Sequence, residues 1–134
     1  MNIFEWNGNR KHLLSLLWIF LTVNYIYCDV FTLHDASYLK AFLSGAVGSM
    51  KITEEFLLAF AVVMQVPMIM IVLSGTLTFK LNRYFNIIAG LITTSVHTVT
   101  VTMGGTLYFM FFSFFEIGTG LFIIYLAVTW KQES

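Results

Sequence analysis

The chain has 134 residues, with seven Lys or Arg, seven Asp or Glu and a formal net charge of zero. Hydrophobic residues make up 58% and charged ones only 10%, and the mean hydropathy is +0.83, a balance that cannot cover a soluble domain. The absence of a basic run or RNA-binding motif excludes nucleic acid as a partner, leaving an integral membrane protein.

The first predicted span covers 12–33. "NRK" before "LLSLLWIFLTV" has the look of a signal peptide, but the following "NYIYCD" offers no small residues for cleavage, and Tyr25 and Tyr27 before Cys28 bar a lipoprotein site. The span therefore reads as an uncleaved helix. Cys28 is the only cysteine, which excludes an intrachain disulfide. Asn24 falls at the centre of this span, and Asp29 falls near its far end.

The connection 34–51 is the longest. Its "SYLKAFLSGAV" predicts a short helix lying in the interface, with Tyr38, Leu39, Phe42 and Leu43 toward lipid. The second span, 52–74, carries Glu54, Leu58, Ala61, Gln65, Met68 and Val72 on one stripe. Pro67 frees the Val63 carbonyl and predicts a kink there. The Met-rich "MQVPMIM" suits adaptable packing around that kink better than a metal site.

A short connection, 75–82, leads to the third span at 83–103. Asn82 is placed to cap it, and Arg83 to reach anionic headgroups at the inner boundary. Gly90, Thr94, His97 and Gly104 share one face of this span. Gly104–Gly105 then makes a tight turn into the fourth span, 106–130, where Ser113, Glu116 and Gly120 align. All four spans reach the roughly 20 residues that cross a hydrocarbon core of about 30 Å. The predicted fold is all-α: one domain forming a four-helix antiparallel transmembrane bundle.

Arg10, Lys11, Lys80, Arg83 and Lys131 fall on one side of such a bundle, and only Lys40 and Lys51 on the other, which predicts cytoplasmic termini. Trp6, Tyr84 and Trp130 mark the inner boundary, and Tyr38 and Tyr108 the outer one. No internal repeat supports an inverted-repeat transporter.

The site follows from a depth count. His97 lies fourteen residues after Arg83, and Glu116 fourteen before Trp130, which puts both about 21 Å from the inner boundary. On neighbouring helices they are level, so a His97–Glu116 contact is expected, with Asn24 and Gln65 converging on it. An ionisable group at that depth is a functional candidate. Asp29, Glu54 and Glu55 gather at the outer mouth. No E-x-x-H or H-x-x-x-H pair, P-loop, nucleophile elbow or dinucleotide fingerprint occurs, and no metal or cofactor is assigned.

Four segments, "LLSLLWIFLTVNYIYCDVFTL", "FLLAFAVVMQVPMIMIVLS", "LNRYFNIIAG" and "FFSFFEI", together resemble a bacterial family of small four-helix membrane proteins known only as a domain of unknown function. The likeness runs from residue 10 onward. Asn24, Asp29, Pro67, Asn82, Arg83, Asn86 and Glu116 match its pattern, and Gln65 departs where the pattern is acidic, against a two-carboxylate mechanism. The architecture is also similar to DoxX-like proteins. The resemblance implies a multi-pass protein of a bacterial inner membrane and no activity.

The first functional reading is a non-enzymatic protein holding a small hydrophobic or amphipathic molecule or a lipid in its bundle. A proton-coupled transporter, a subunit of a homo-oligomer or larger membrane complex, and an enzyme using His97 and Glu116 as an acid–base pair on a lipid-like substrate are the alternatives.

Overall fold

The computed structural model describes residues 9–132; Trp6, one of the expected boundary aromatics, lies outside them. Among the described residues there are five helices: α1 Arg10–His34, α2 Ala36–Leu43, α3 Glu54–Thr76, α4 Phe79–Thr102 and α5 Leu107–Val128. Between α2 and α3 runs a minimal antiparallel ribbon, β1 Ala46–Val47 with β2 Met50–Lys51, which the sequence reading did not anticipate. Helices α1, α3, α4 and α5 are long and apolar enough to cross a membrane.

Four of these five helices start at a side-chain cap. Asn9, Thr53 and Thr106 cap α1, α3 and α5, their side-chain oxygens accepting from the amides of Lys11, Phe56 and Phe109. Asp35 ends α1 and caps α2, accepting from the Ser37 amide at 3.0 Å and the Ser37 hydroxyl at 2.6 Å. Those two bonds hold its carboxyl below the usual carboxylate range. The corner is followed by the expected short helix, with Leu39, Phe42 and Leu43 exposed and Tyr38 half-buried.

The largest departure from expectation is at α4. It begins at Phe79 rather than Arg83, with Thr78 at the cap position. Gly75 does not end α3, because the helix continues to Thr76, whose hydroxyl donates to the Val72 carbonyl at 2.9 Å. Only Leu77 and Thr78 connect the two helices, both extended. Asn82 therefore sits inside the first turn of α4 and is not its cap.

Helix α1 packs against α3 and α5, and α4 against α3 and α5. The core is Leu14, Trp18, Leu21 and Tyr25 of α1 with Met70, Ala89, Ile123 and Leu126 from the other three. Helices α4 and α5 approach closely where glycine allows it. A Cβ on Gly90 would stand 2.7 Å from Ile124 Cγ1, and one on Gly120 would collide with the Thr94 hydroxyl. The turn between these helices uses Gly104 at φ +87°.

At one end the start of α1, the end of α3, the start of α4 and the end of α5 are tied together. Ser15 Oγ donates to the Ile71 carbonyl at 2.7 Å. Arg10 Nη1 reaches the Leu126 carbonyl at 3.0 Å, and Arg83 donates to the Ala127 and Val128 carbonyls at 3.1 and 2.9 Å. Two guanidinium groups thus satisfy the free carbonyls of α5 and complement its dipole. Toward the other end the packing thins. Within α3 nothing before Pro67 is buried, and within α4 nothing after Thr93.

Candidate functional site

That thinning leaves a cavity of about 330 Å³ to which all four long helices contribute. One wall is apolar and comes from α3: Phe56, Phe60, Val63, Met64 and Pro67. Because Pro67 has no N–H, the Val63 carbonyl loses its helical partner within this wall. The facing wall carries Tyr25, Cys28 and Asp29 of α1, Thr93 and His97 of α4, and Glu116 of α5.

The helical period explains why these side chains turn inward. Tyr25 and Cys28 continue the buried stripe of Leu14, Trp18 and Leu21, at steps of three and four. Glu116 belongs to the buried stripe Ser113, Glu116, Gly120, Ile123 and Ala127 of α5. The same residues that pack α5 against its neighbours therefore carry the carboxyl inside, where it is 2% exposed. His97 stands one turn beyond buried Thr93 on α4.

Glu116 Oε2 lies 2.9 Å from His97 Nε2. The approach has ion-pair length without hydrogen-bond alignment, and among the described residues Oε1 has no hydrogen-bond partner. His97 Nδ1 is 3.1 Å from the Thr93 carbonyl. A carbonyl only accepts, so Nδ1 carries a proton and the neutral tautomer presents a bare Nε2 to the carboxyl. Tyr25 stacks on the imidazole, with ring centroids 4.4 Å apart and planes 20° from parallel, and so fixes the ring orientation.

The remaining expected residues scatter. Asp29 lines the cavity, whereas Glu54 and Glu55 are exposed in the first turn of α3, where the helix dipole favours them, and do not line it. Asn24 bonds back to its own helix, Nδ2 to the Phe20 carbonyl at 2.8 Å, and lies outside the cavity. Gln65 is exposed on the opposite side of α3 from the lining residues. The cause is angular: two residues beyond Val63, it is turned about 200° away at 100° per residue. Arg83 spends its guanidinium on α5 carbonyls, and Asn82 is fully buried. The structure thus replaces the expected convergence of Asn24 and Gln65 with Tyr25, Cys28 and Thr93. Among the described residues no three His, Cys, Asp or Glu side chains are grouped as metal ligands would be.

Sequence reasoning missed a second polar cluster, nearer the end tied by the arginines. Asn86 Oδ1 accepts from Trp18 Nε1 at 2.7 Å and from Ser74 Oγ at 3.2 Å. Its Nδ2 donates to the Asn82 carbonyl at 2.8 Å and to Asn82 Oδ1 at 2.6 Å, while Asn82 Nδ2 donates to the Ser74 carbonyl at 2.7 Å. All four residues are fully buried. Asparagines four apart in an apolar helix were the signal, since two such amides on one face need partners.

A family model described as a family of unknown function (DUF6326) matches residues 1–134. No curated protein matches the chain, and no solved structure does. The match extends the resemblance over the first nine residues, and it carries neither an organism nor a likeness to DoxX-like proteins.

Proposed function

The chain belongs to this family of unknown function, and from the cavity we propose that it is a four-span membrane protein that holds a small amphipathic molecule between its helices. The spans run antiparallel, with both termini on the cytoplasmic side, as the Lys and Arg distribution favours. The observation that carries the reading is Glu116: its Oε1 is buried, without a hydrogen-bond partner among the described residues, and beside a cavity with an apolar wall. An acceptor left unsatisfied in such surroundings is costly unless something donates to it.

The lining also indicates the class of molecule. It contains two carboxyl groups, Asp29 and Glu116, one imidazole, and no Lys or Arg. Glu116 Oε1 and the freed Val63 carbonyl supply acceptors on the two walls. A ligand head that donates hydrogen bonds, such as a protonated amine or a hydroxyl on an apolar body, suits this wall, and an anionic head does not.

Native mass spectrometry of protein purified in mild detergent tests this. The wild type carries a small-molecule mass above the bare chain. Glu116→Gln, which keeps shape and removes the ionisable carboxyl, and Ala59→Trp, which fills the cavity from the α3 side, both lose it. The same adduct retained by both variants overturns the reading.

The 2.9 Å approach of two ionisable groups, His97 and Glu116, beside the cavity favours a second reading, proton-coupled transport through the same cavity. Flux of a lipophilic amine into proteoliposomes under a proton gradient would then fall to background in Glu116→Gln. Flux equal to wild type removes Glu116 from such a mechanism.

A further inference from the structure

Helix α3 has two unlike faces. One lines the cavity and continues into the core through Pro67, Met70 and Ser74. The other carries Leu58, Ala61, Gln65, Met68, Val72 and Gly75, and every one of them is exposed. Their spacing alternates three, four, three, four, three. That is a period of 3.5 residues, which keeps a stripe facing a second helix along its whole length.

Gln65 is the middle residue of α3, eleven from Glu54 and eleven from Thr76, so it stands about 16 Å from either end at 1.5 Å per residue. In a membrane-spanning α3 that is the hydrocarbon midplane. Among the described residues its amide makes no hydrogen bond. Acyl chains offer a carboxamide nothing to bond with.

We propose that this face is the seam of a homodimer, in which two copies of α3 run side by side about a two-fold axis along the membrane normal and Gln65 bonds to the partner's Gln65. A carboxamide is at once donor and acceptor, so two of them facing across a two-fold axis satisfy each other. Any other partner would have to supply a polar group at the same depth, whereas a second copy brings it by symmetry. Both copies insert with the same orientation, which makes the paired α3 helices parallel and sets Gln65 level with its mate. A single polar residue within an apolar seam also selects register and partner number. Ala61 and Gly75 leave room for close approach, and a Cβ built on Gly75 meets nothing within 4 Å.

The seam faces away from the cavity, so it stands or falls independently of the ligand reading. The full-length chain in liposomes, in a Cys28→Ala background, is the material for the test. Ala61→Cys and Met68→Cys form disulfide-linked dimers under mild oxidation, whereas Ile88→Cys, exposed on α4, does not. In single-molecule photobleaching at graded protein-to-lipid ratios, Gln65→Leu raises the dissociation constant roughly tenfold. Monomers at every ratio, cross-linking at Ile88→Cys in place of α3, or an unchanged constant in Gln65→Leu each overturn the proposal.

Discussion

Replacing Asn86 by Leu tests the buried amide cluster most directly. The two side chains are close in size, so the substitution removes hydrogen bonds while leaving little cavity. Asn86 makes four side-chain bonds: Oδ1 with Trp18 Nε1 and Ser74 Oγ, and Nδ2 with the Asn82 carbonyl and Asn82 Oδ1. The Ser74 hydroxyl can turn to a carbonyl one turn back, as Thr22, Thr32 and Thr76 already do. The Asn82 carbonyl keeps a place in the α4 ladder. Two groups then have no alternative, the Trp18 N–H and Asn82 Oδ1, both at 0% exposure. At about 1–3 kcal/mol for each orphaned buried group, the sum is about 2–6 kcal/mol. Side-chain bonds between membrane helices measure about 0.6 kcal/mol on average and about 1.7 at most, which pulls the expectation down to about 2–4 kcal/mol. That is roughly a 30- to 1,000-fold shift in the unfolding equilibrium. The assay is loss of near-UV circular dichroism in mixed micelles as the mole fraction of dodecyl sulfate rises. Trp18→Phe, which removes one donor and leaves Ser74 on Asn86, should lose about 1 kcal/mol. Asn24→Leu, whose amide bonds only to its own helix, should move by no more than about 0.5 kcal/mol. An Asn86→Leu midpoint equal to that of Asn24→Leu would refute the reasoning.

Two further substitutions probe the frame around the site. Gly120→Val places a Cβ on the Thr94 hydroxyl and forces α4 and α5 apart, with an expected loss of about 1–3 kcal/mol. The same micelle titration measures it, and stability matching wild type would mean that the helices do not meet there. Arg83→Met keeps much of the apolar stem and removes two bonds to the last carbonyls of α5. It should cost about 1–2 kcal/mol, and hydrogen exchange should accelerate over the last turn of α5 and leave α2 unchanged. If headgroup contact were its main role, α5 exchange would not respond.

The pairing of His97 with Glu116 was legible from a count that took Arg83 and Trp130 as the far ends of the last two spans, and the two side chains do meet, at 2.9 Å. The ends themselves differ: His97 stands eighteen residues from the Phe79 start of α4 and Glu116 twelve from the Val128 end of α5, so the contact was set by packing as well as by the count. Gln65 was not legible, because α3 is apolar on both faces and periodicity cannot say which face turns inward. Its stripe was visible in the sequence, but its direction was set by Pro67, Met70 and Ser74 packing against α1 and α4. Asn82 was misplaced for another reason. Gly75 looked like the end of α3, yet the helix ran on to Thr76 and α4 began four residues early, moving Asn82 from the cap into the interior.

Composition and spacing by themselves determined that four long apolar helices form, where each roughly lies, and that one carboxyl and one imidazole sit level deep within them. Those are properties of hydropathy and helical rise, which are local. Only the tertiary structure decided which side of each helix faces inward. It also decided that Trp18, Ser74, Asn82 and Asn86 close on one another, and that α3 and α4 part to leave a cavity beside Glu116. These depend on contacts between residues far apart in the chain, 68 positions in the case of Trp18 and Asn86. No local pattern encodes the direction in which a uniformly apolar helix will turn.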